Sequence, residues 1–288
     1  MGKTGKGWLI FGSGVLLGAA LAQRQGRPAA GRSSLAEQIG QAKIQRKMEQ
    51  LRHGYEQQDR MRREFTANVT HELKTPLTSI SGYAEIIREG LVKTEDIGRF
   101  AGKIYEEAQR LITLVEDILN LSRLDEGAPP PEQLVRVDLY RLCEEAIASL
   151  GKAARQRDIQ MQLSGQHLMV DGSEKILREI VYNLCDNAVK YNKEQGRVEV
   201  SVAREGERVV LCVQDTGIGI APQETERVFE RFYRVDKSHS KEIGGTGLGL
   251  SIVKHAAACH DAKVQLDSQL GRGTRVRVLF HPAGEERP

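Results

Sequence analysis

The segment from Phe65 to Ile80 combines an apolar stripe with a histidine on the opposite side of one predicted helix. At about 100° per residue, the other stripe residues fall within about 40° of Leu73: Val69, Leu77, Ile80, Ala84 and Ile87. On the same wheel His71 lies at about 160° and Thr75 at about 200°, with Glu72 on the flank between. The pattern predicts a core-facing helix that presents an imidazole and a carboxylate to solvent.

A single histidine on a helix surface is more often solvated than functional, so the neighbouring residues have to decide. Pro76 removes a helical hydrogen bond and is expected to bend or loosen the helix next to His71. Because a bend beside an exposed His-Glu pair brings no evident gain in stability, the segment favours a functional histidine.

Composition limits the classes of protein that have to be considered. The chain has 288 residues, 40% of them hydrophobic and 28% charged, which suits folded domains with an appendage. The net charge of +3 is too small to indicate nucleic-acid binding. The four cysteines, at positions 143, 185, 212 and 259, lack metal-ligand spacing and are expected to be reduced thiols.

The N-terminal residues 7–22 carry no charge, and Lys3 and Lys6 precede them while Arg24 and Arg27 follow. We interpret residues 7–23 as a short uncleaved anchor in the inner (cytoplasmic) membrane, with all that follows in the cytoplasm. A peripheral attachment and a removed signal peptide are the alternatives. Residues 24–56 are predicted to be a linker and a helical extension.

A helical hairpin is predicted for residues 57–127. A turn at residues 90–95 separates the first helix from a second, whose apolar positions alternate four and three apart: Ile104, Ala108, Leu111, Val115, Ile118 and Leu121 or Ser122. Two such helices cannot bury both stripes, so we predict a homodimer that completes a four-helix bundle. The run from Gly127 to Pro131 then marks a domain boundary.

Residues 132–282 are expected to form an α+β domain, an α/β sandwich in which helices cover a mixed or antiparallel sheet. Helices are predicted at 138–155, 173–191 and about 248–259. Strands are predicted at 159–163, 198–202, 209–213, 264–268 and 274–280.

Three polar clusters in this domain indicate a nucleotide site. Helix 173–191 carries Asn183, Asn187 and Lys190 on its polar side, with Tyr191 adjoining; amide oxygens suit Mg²⁺ and a lysine suits phosphate. Asp215 ends a strand before Gly217 and Gly219, where its carboxylate could accept a bond from an adenine amino group. The third cluster opens a helix as a phosphate-binding loop: Gly245, Thr246, Gly247, Leu248 and Gly249.

Between the two glycine clusters, Phe232 and Arg234 lie in a long polar segment that is expected to form a lid over bound nucleotide. Taken alone, each cluster also fits a non-functional interpretation: a solvated helix face, an ordinary glycine turn, or core phenylalanines. The order and spacing of all the clusters together do not fit such an interpretation.

The chain resembles the bacterial two-component sensor histidine kinases over about residues 55 to 282. The segments that resemble the family's H, N, first G, F and second G boxes are, in that order, residues 65–77, 183–191, 215–219, 229–234 and 244–251. The resemblance implies a HisKA-type dimerisation and phosphotransfer hairpin followed by an ATP-binding domain of the Bergerat (GHKL) type.

By the same resemblance His71 would be the phosphoacceptor, Glu72 the base, and Asn187, helped by Asn183, the holder of Mg²⁺. ATP would also meet Lys190, Tyr191, Asp215, Gly217, Gly219, Phe232, Arg234, Gly245, Thr246, Gly247, Leu248 and Gly249. The phosphoryl group would pass to an aspartate of a separate response regulator. Glu72 and Thr75 match the family's ExxT pattern, which implies a phosphatase activity toward that regulator.

Three other functions remain open from the residues alone. An ATPase of the same fold would leave the His71 helix unexplained, and a non-enzymatic scaffold would be expected to lack a key residue. A kinase that phosphorylates a hydroxyl group of a partner would form an acid-stable bond. The stability of the bond therefore separates the last case from a histidine kinase.

Overall fold

The computed structural model describes residues 32–125, 127, 134–235 and 245–284. The predicted anchor at residues 7–23 lies outside the described residues. Within the described residues, no helix is both long and apolar enough to cross a bilayer. The described residues divide into two units between Met61 and Arg62, and all contacts given below lie within the second.

Two long helices form the predicted hairpin. Helix α1 spans Arg32–Arg88 and helix α2 spans Ile97–Asp125, with a short 3₁₀ turn at Thr94–Asp96 before α2. Near the turn, the rings of Tyr83 and Phe100 meet edge to face with centroids 5.7 Å apart. The helix continues through Pro76, which is buried.

The predicted apolar stripe is only partly covered within one chain. Of the predicted stripe, Leu77 on α1 is 52% exposed and Val115 on α2 is 41% exposed. Ile112 and Leu119, which lie on α2 outside the predicted stripe, are 51% and 52% exposed. Leu114 and Leu121 on α2 are buried. The hairpin therefore leaves apolar side chains in water that its own two helices do not cover.

The α+β domain is built on a mixed five-stranded sheet in the order β2-β4-β5-β7-β6. Strand β2 runs parallel to β4, and the other neighbours are antiparallel. The strands are β2 Gln160–Gly165, β4 Arg197–Glu205, β5 Arg208–Asp215, β6 Lys263–Gln269 and β7 Gly273–Phe280. The helices are α3 Leu139–Gln156, α4 Glu174–Lys190 and α5 Gly249–Ala258.

A second, two-stranded sheet was not predicted. Strands β1 (Val135–Asp138) and β3 (Met169–Gly172) pair antiparallel, each over four residues. Strands this short carry too few residues for an alternating pattern to be recognised. The sheet has a clear role at α3, because the carboxylate of Asp138 accepts bonds from the Tyr140 and Arg141 amides and caps the helix.

One hydrophobic cluster joins the sheet, its helices and the end of α2. Val198, Val200 and Val202 alternate along β4 and are fully buried. Leu121 and Leu124, from the last turns of α2, belong to the same cluster and are 0% and 5% exposed. The C-terminal end of the hairpin is thus part of the core of the α+β domain.

Candidate nucleotide and phosphoacceptor site

Helix α4, which carries the two asparagines, is fixed at both ends. At its start, the Ser173 amide donates to Nε2 of the buried His260 at 3.1 Å. At its end, the Arg157 guanidinium donates to the carbonyl oxygens of Val189, Lys190 and Asn192 at 2.6 to 2.7 Å. The last carbonyls of a helix have no amide partner one turn further on, so the arginine completes the helix end and holds the residues that follow it.

The amide groups of Asn183 and Asn187 converge on the start of α5. A Cβ added at Gly249 would lie 2.9 Å from Asn183 Oδ1 and 3.3 Å from Asn187 Nδ2. Asn183 Nδ2 donates to the Glu179 carbonyl one turn earlier, which directs its Oδ1 toward the glycine. The structure therefore brings together the first and third predicted polar clusters.

Lys190 is not aimed at open solvent, because its ammonium lies 2.7 Å from Asp186 one turn earlier on α4. Burial lowers the pKa of Lys190, but the Asp186 carboxylate raises it, and the net pKa is raised. The lysine is thus charged and held at the site. Asp186 was not singled out from the sequence, although its spacing of four residues from Lys190 was a usable signal.

Tyr191 faces the glycine-rich loop. A Cβ added at Gly245 would lie 2.5 Å from the Tyr191 hydroxyl, and one added at Gly217 would lie 2.2 Å from the Tyr191 carbonyl oxygen. Both predicted glycine clusters therefore lie against Tyr191, which follows the end of helix α4. At Gly217 the near atom belongs to the backbone, so that position has no room for a side chain. Gly219 is equally constrained: its φ is +65°, and a Cβ would lie 2.0 Å from the Gln269 carbonyl oxygen.

Asp215 ends β5 with a carboxylate that is mostly buried. Its Oδ1 accepts bonds from the Gly217 amide at 2.8 Å and the Thr274 amide at 3.2 Å. Burial raises the pKa of Asp215 to about 6, although these two bonds act to lower it. A buried carboxylate with a raised pKa gains from a further hydrogen-bond donor, such as one supplied by a ligand.

The raised pKa of Asp215 predicts a pH-dependent effect of Asp215→Asn on stability. Because the folded-state pKa of about 6 exceeds the unfolded value near 3.8, ionised Asp215 destabilises the fold above pH 6. We expect the asparagine variant to be more stable by about 1 to 3 kcal/mol at pH 8 and to lose this advantage toward pH 4. Urea unfolding at both pH values measures the difference; an equal difference at both would contradict it.

The second glycine cluster is locked to the lid segment by its backbone. The Phe232 amide donates to the Gly247 carbonyl at 2.9 Å, and both residues have positive φ, +63° and +74°. A Cβ at Gly247 would lie 2.9 Å from the Phe232 carbonyl carbon. Leu248, the next residue, is fully buried and begins the turn into α5. Positive φ in a phenylalanine is costly, so the surrounding contacts must hold it there.

The lid segment also reaches the histidine. Arg234 Nη2 donates to Glu72 Oε2 at 2.9 Å, and the arginine side chain is only 6% exposed. Glu72 Oε1 lies 3.8 Å from His71 Nδ1, and the His71 side chain is 77% exposed. Thr75 donates its hydroxyl hydrogen to the His71 carbonyl at 3.2 Å. The predicted phosphoacceptor, base and lid arginine are therefore neighbours.

Two aspartates of α2 contact the same region and were not predicted. Asp117 Oδ2 accepts a bond from the Thr246 hydroxyl at 2.7 Å; burial raises the pKa of Asp117, and this bond acts to lower it. Asp125 Oδ1 lies 2.6 Å from Arg231 Nη2. Both contacts join residues more than 100 positions apart, so no local pattern in the sequence could have identified them.

An aromatic contact joins the lid segment to α1. The rings of Phe65 and Phe232 have centroids 5.7 Å apart, and the Arg231 guanidinium lies 5.4 Å from the centroid of the Phe65 ring. Arg231 Nη2 also lies 3.1 Å from Nε2 of His255 on α5. Phe65 was predicted only as the start of the histidine segment, and the structure makes it a contact for the lid.

Comparison with known proteins identifies both parts of this arrangement. Residues 61–127 match the His Kinase A (phospho-acceptor) domain, and residues 172–284 match the histidine kinase-, DNA gyrase B-, and HSP90-like ATPase. Sensor-like histidine kinase SenX3 of Mycobacterium tuberculosis is 40% identical over 221 residues, which are 76% of this chain and 54% of the relative. The chain belongs to the two-component sensor histidine kinases.

Other sensor histidine kinases support the same family. Sensor histidine kinase WalK of Bacillus subtilis is 36% identical over 243 residues, 80% of this chain and 38% of that protein. The chain thus spans about half the length, or less, of these two relatives.

Solved structures of histidine kinases share the fold. The full-length structure of ShkA in complex with AMPPNP has a TM-score of 0.56 and 29% identity, and covers 76% of this chain and 46% of that one. ThkA in complex with the response regulator protein TrrA has a TM-score of 0.63 and 22% identity, and covers 81% of this chain and 67% of that one. The second likeness shows the hairpin and α+β domain as a fold.

Proposed function

We propose that the chain is an ATP-dependent protein histidine autokinase that phosphorylates its own His71. The observation that carries the proposal is the bond between Arg234 and Glu72. Through this bond the guanidinium of Arg234, in the lid segment, contacts the residue next to His71. The exposed His71 ring has its Nδ1 3.8 Å from Glu72 Oε1. The family of the two domains and the AMPPNP complex of the relative ShkA support ATP as the phosphoryl donor.

The residues around His71 can carry out each part of this reaction. A neutral imidazole nitrogen attacks the γ-phosphorus, a new N–P bond forms, and the bond from the γ-phosphorus to the bridging oxygen of ADP breaks. The ring gives up its remaining proton, for which Glu72 is the adjacent acceptor. Arg234 and Lys190 supply positive charge for the phosphoryl oxygens, and most of the acceleration comes from positioning and electrostatics.

Mg²⁺ fits the donor set that the structure offers. Asn183 and Asn187 direct amide groups to the start of α5, and Mg²⁺ prefers such oxygen ligands together with phosphate oxygens and water. The ion would supply charge neutralisation at the phosphates. Asp215 would accept a bond from the adenine amino group, and the lid and loop residues Tyr191, Phe232, Gly245, Thr246, Gly247 and Leu248 would enclose the nucleotide.

The chemical stability of the phosphorylated product tests the proposal. The full chain is incubated with Mg²⁺ and γ-labelled ATP, and the labelled protein is then divided between acid and alkali. We expect a label that survives alkali and is lost in acid, as a phosphoramidate is, and that maps to His71 by mass spectrometry. An acid-stable label, or none, would support a hydroxyl-directed kinase or an ATPase instead.

We further propose transfer of the phosphoryl group to an aspartate of a separate response regulator, and hydrolysis of that product with the help of Thr75. The TrrA complex of ThkA supports such a partner. Thr75 lies one turn after His71 and is bonded to its carbonyl. Thr75→Ala is therefore expected to keep autophosphorylation and to slow regulator dephosphorylation at least tenfold, the usual weight of one positioned group. Thr75→Ser is the matched control, and equal phosphatase rates for all three proteins would contradict the role.

The exposed apolar residues of the hairpin support a homodimer. Leu77, Ile112 and Leu119 are all more than half exposed in one chain, and a second hairpin would cover them. Light scattering is expected to give twice the 32.0 kDa of one chain.

Residues 7–23 would anchor this dimer at the inner membrane. Membrane fractionation of the full chain, beside a chain that lacks these residues, measures the attachment.

A further inference from the structure

The nucleotide lid of the chain lies on both helices of its own hairpin. Arg234 and Phe232 contact Glu72 and Phe65 on α1. On α2, Arg231 contacts Asp125, and Thr246 of the adjoining glycine loop contacts Asp117. These contacts place the lid segment beside Glu72, the residue next to His71, of the same chain.

The two contacts on α2 fix an orientation as well as a position. Asp117 and Asp125 are eight residues apart, which is about 12 Å along a helix axis. Two attachment points at that separation prevent rotation of the domain about either one. The two contacts also differ in chemistry, because Asp125 pairs with an arginine and Asp117 accepts from a hydroxyl group. The domain therefore cannot swap one contact for the other.

The attachment continues into the core. Leu121 and Leu124, which lie between Asp117 and Asp125 on α2, are buried in the cluster of the α+β domain. Directly after α5, Cys259 Sγ lies 3.8 Å from the Leu124 carbonyl oxygen and 3.5 Å from that of Gly127. The end of α2 and the ATP-binding domain of one chain are therefore packed as a unit.

Three groups contact the guanidinium of Arg231 and fix its position. Its guanidinium meets the Asp125 carboxylate, the His255 ring nitrogen and the face of Phe65. His255 Nδ1 lies 2.8 Å from the Ser251 carbonyl oxygen and donates to it, which leaves Nε2 as the acceptor for Arg231. Neither Arg231 nor Asp125 contacts His71, so the pair acts through the position of the domain.

We infer that Asp125 and Arg231 are positioning residues that dock the ATP-binding domain over its own hairpin, so that each chain phosphorylates its own His71. This inference rests on the proposed function and specifies which histidine serves each nucleotide site in a dimer. If the inference is correct, residues 125 and 231 must carry opposite charges in the same chain for the autophosphorylation rate to be normal.

A charge exchange tests the pairing. In the full chain, Asp125→Arg or Arg231→Asp alone is expected to lower the autophosphorylation rate about tenfold, because like charges then face each other. The double variant in one chain is expected to recover most of the rate. If the double variant stays as slow as the singles, the positioning role is wrong. Exchange of the pair Glu205 and Arg277, on the sheet away from the hairpin, is the matched control and should leave the rate unchanged.

Mixed dimers test the intrachain transfer. Two differently tagged full chains, one with His71→Gln and one with Asn187→Ala, are co-expressed and purified through both tags. Intrachain transfer predicts no label on either chain, whereas label on the Asn187→Ala chain would show transfer between chains and overturn the inference. A mixed dimer of Asp125→Arg and Arg231→Asp chains should likewise stay slow, and recovery there would also overturn it.

A control separates failure of this inference from failure of the proposed function. In a mixed dimer of wild-type and His71→Gln chains, the wild-type chain is expected to be labelled. No label in that dimer or in the wild-type homodimer would count against the autokinase itself. Label there, together with label on the Asn187→Ala chain above, would leave the autokinase intact and reject only the intrachain route.

Discussion

Replacing His71 by glutamine is expected to abolish autophosphorylation, by at least a thousandfold, while ATP binding stays within about twofold of wild type. The imidazole nitrogen is the proposed acceptor, and a glutamine amide has no comparable nucleophile. The side chain is 77% exposed and has no contact in the described core, so its loss should not disturb the fold. Rates of labelling from γ-labelled ATP and titration with a fluorescent nucleotide measure the two effects.

His53→Gln is the control for this experiment. His53 is exposed and lies on the same helix, 18 positions before His71, so its variant should be labelled at the wild-type rate. Label that persists in His71→Gln but disappears in His53→Gln would reject His71 as the acceptor. Loss of nucleotide binding in His71→Gln would show that the variant has damaged the ATP site and not only the acceptor.

Gly247→Ala is expected to lower autophosphorylation by about 10- to 100-fold. The added methyl group would lie 2.9 Å from the Phe232 carbonyl carbon and 3.0 Å from its Cα, both backbone atoms that cannot turn away. Displacing Phe232 also breaks the bond from its amide to Gly247 and moves Arg234 away from Glu72. Overpacking of this kind costs about 1 to 3 kcal/mol, which corresponds to the expected range of rates.

Gly271→Ala separates the clash from the backbone strain. Gly271 has φ of +78°, close to the +74° of Gly247, but a Cβ there would meet nothing within 4 Å. Both variants should lose about 1 kcal/mol of stability from the positive φ, and only Gly247→Ala should lose activity. Thermal melts and labelling rates are measured for both; equal losses of activity would mean that strain, and not the contact with Phe232, explains the result.

Much of the fold could be predicted because its elements have local signatures. The stripe around Leu73 predicts α1, and the valines of β4 alternate with polar residues, as a strand with one covered face does. The bounds predicted for α4, 173–191, differ from the structure by one residue at each end. The missed strands β1 and β3 have four residues each and acquire their pairing from tertiary contacts.

The residues of the site could be predicted from the sequence, but most of the contacts between them could not. The glycines and asparagines form local patterns, whereas the Arg234–Glu72 pair spans 162 positions. Lys190 is an exception among the partners: its ion pair with Asp186 has a local signal, the spacing of four residues, which the sequence analysis did not use. Leu77 illustrates a limit of such predictions: an apolar stripe predicts that a helix face is buried, but not whether the same chain or a second chain packs on it.

The burial of Leu121 and Leu124 has a practical meaning for anyone who divides this protein into pieces. A fragment that starts after Gly127 would lack these two leucines and would expose the groups that pack on them, including part of α5. Such a fragment should be prone to aggregation and should melt at a lower temperature than one that begins before Leu114. Segments exchanged between such kinases to rewire their signals should be joined upstream of α2, so that each catalytic domain keeps the helix end on which it folds.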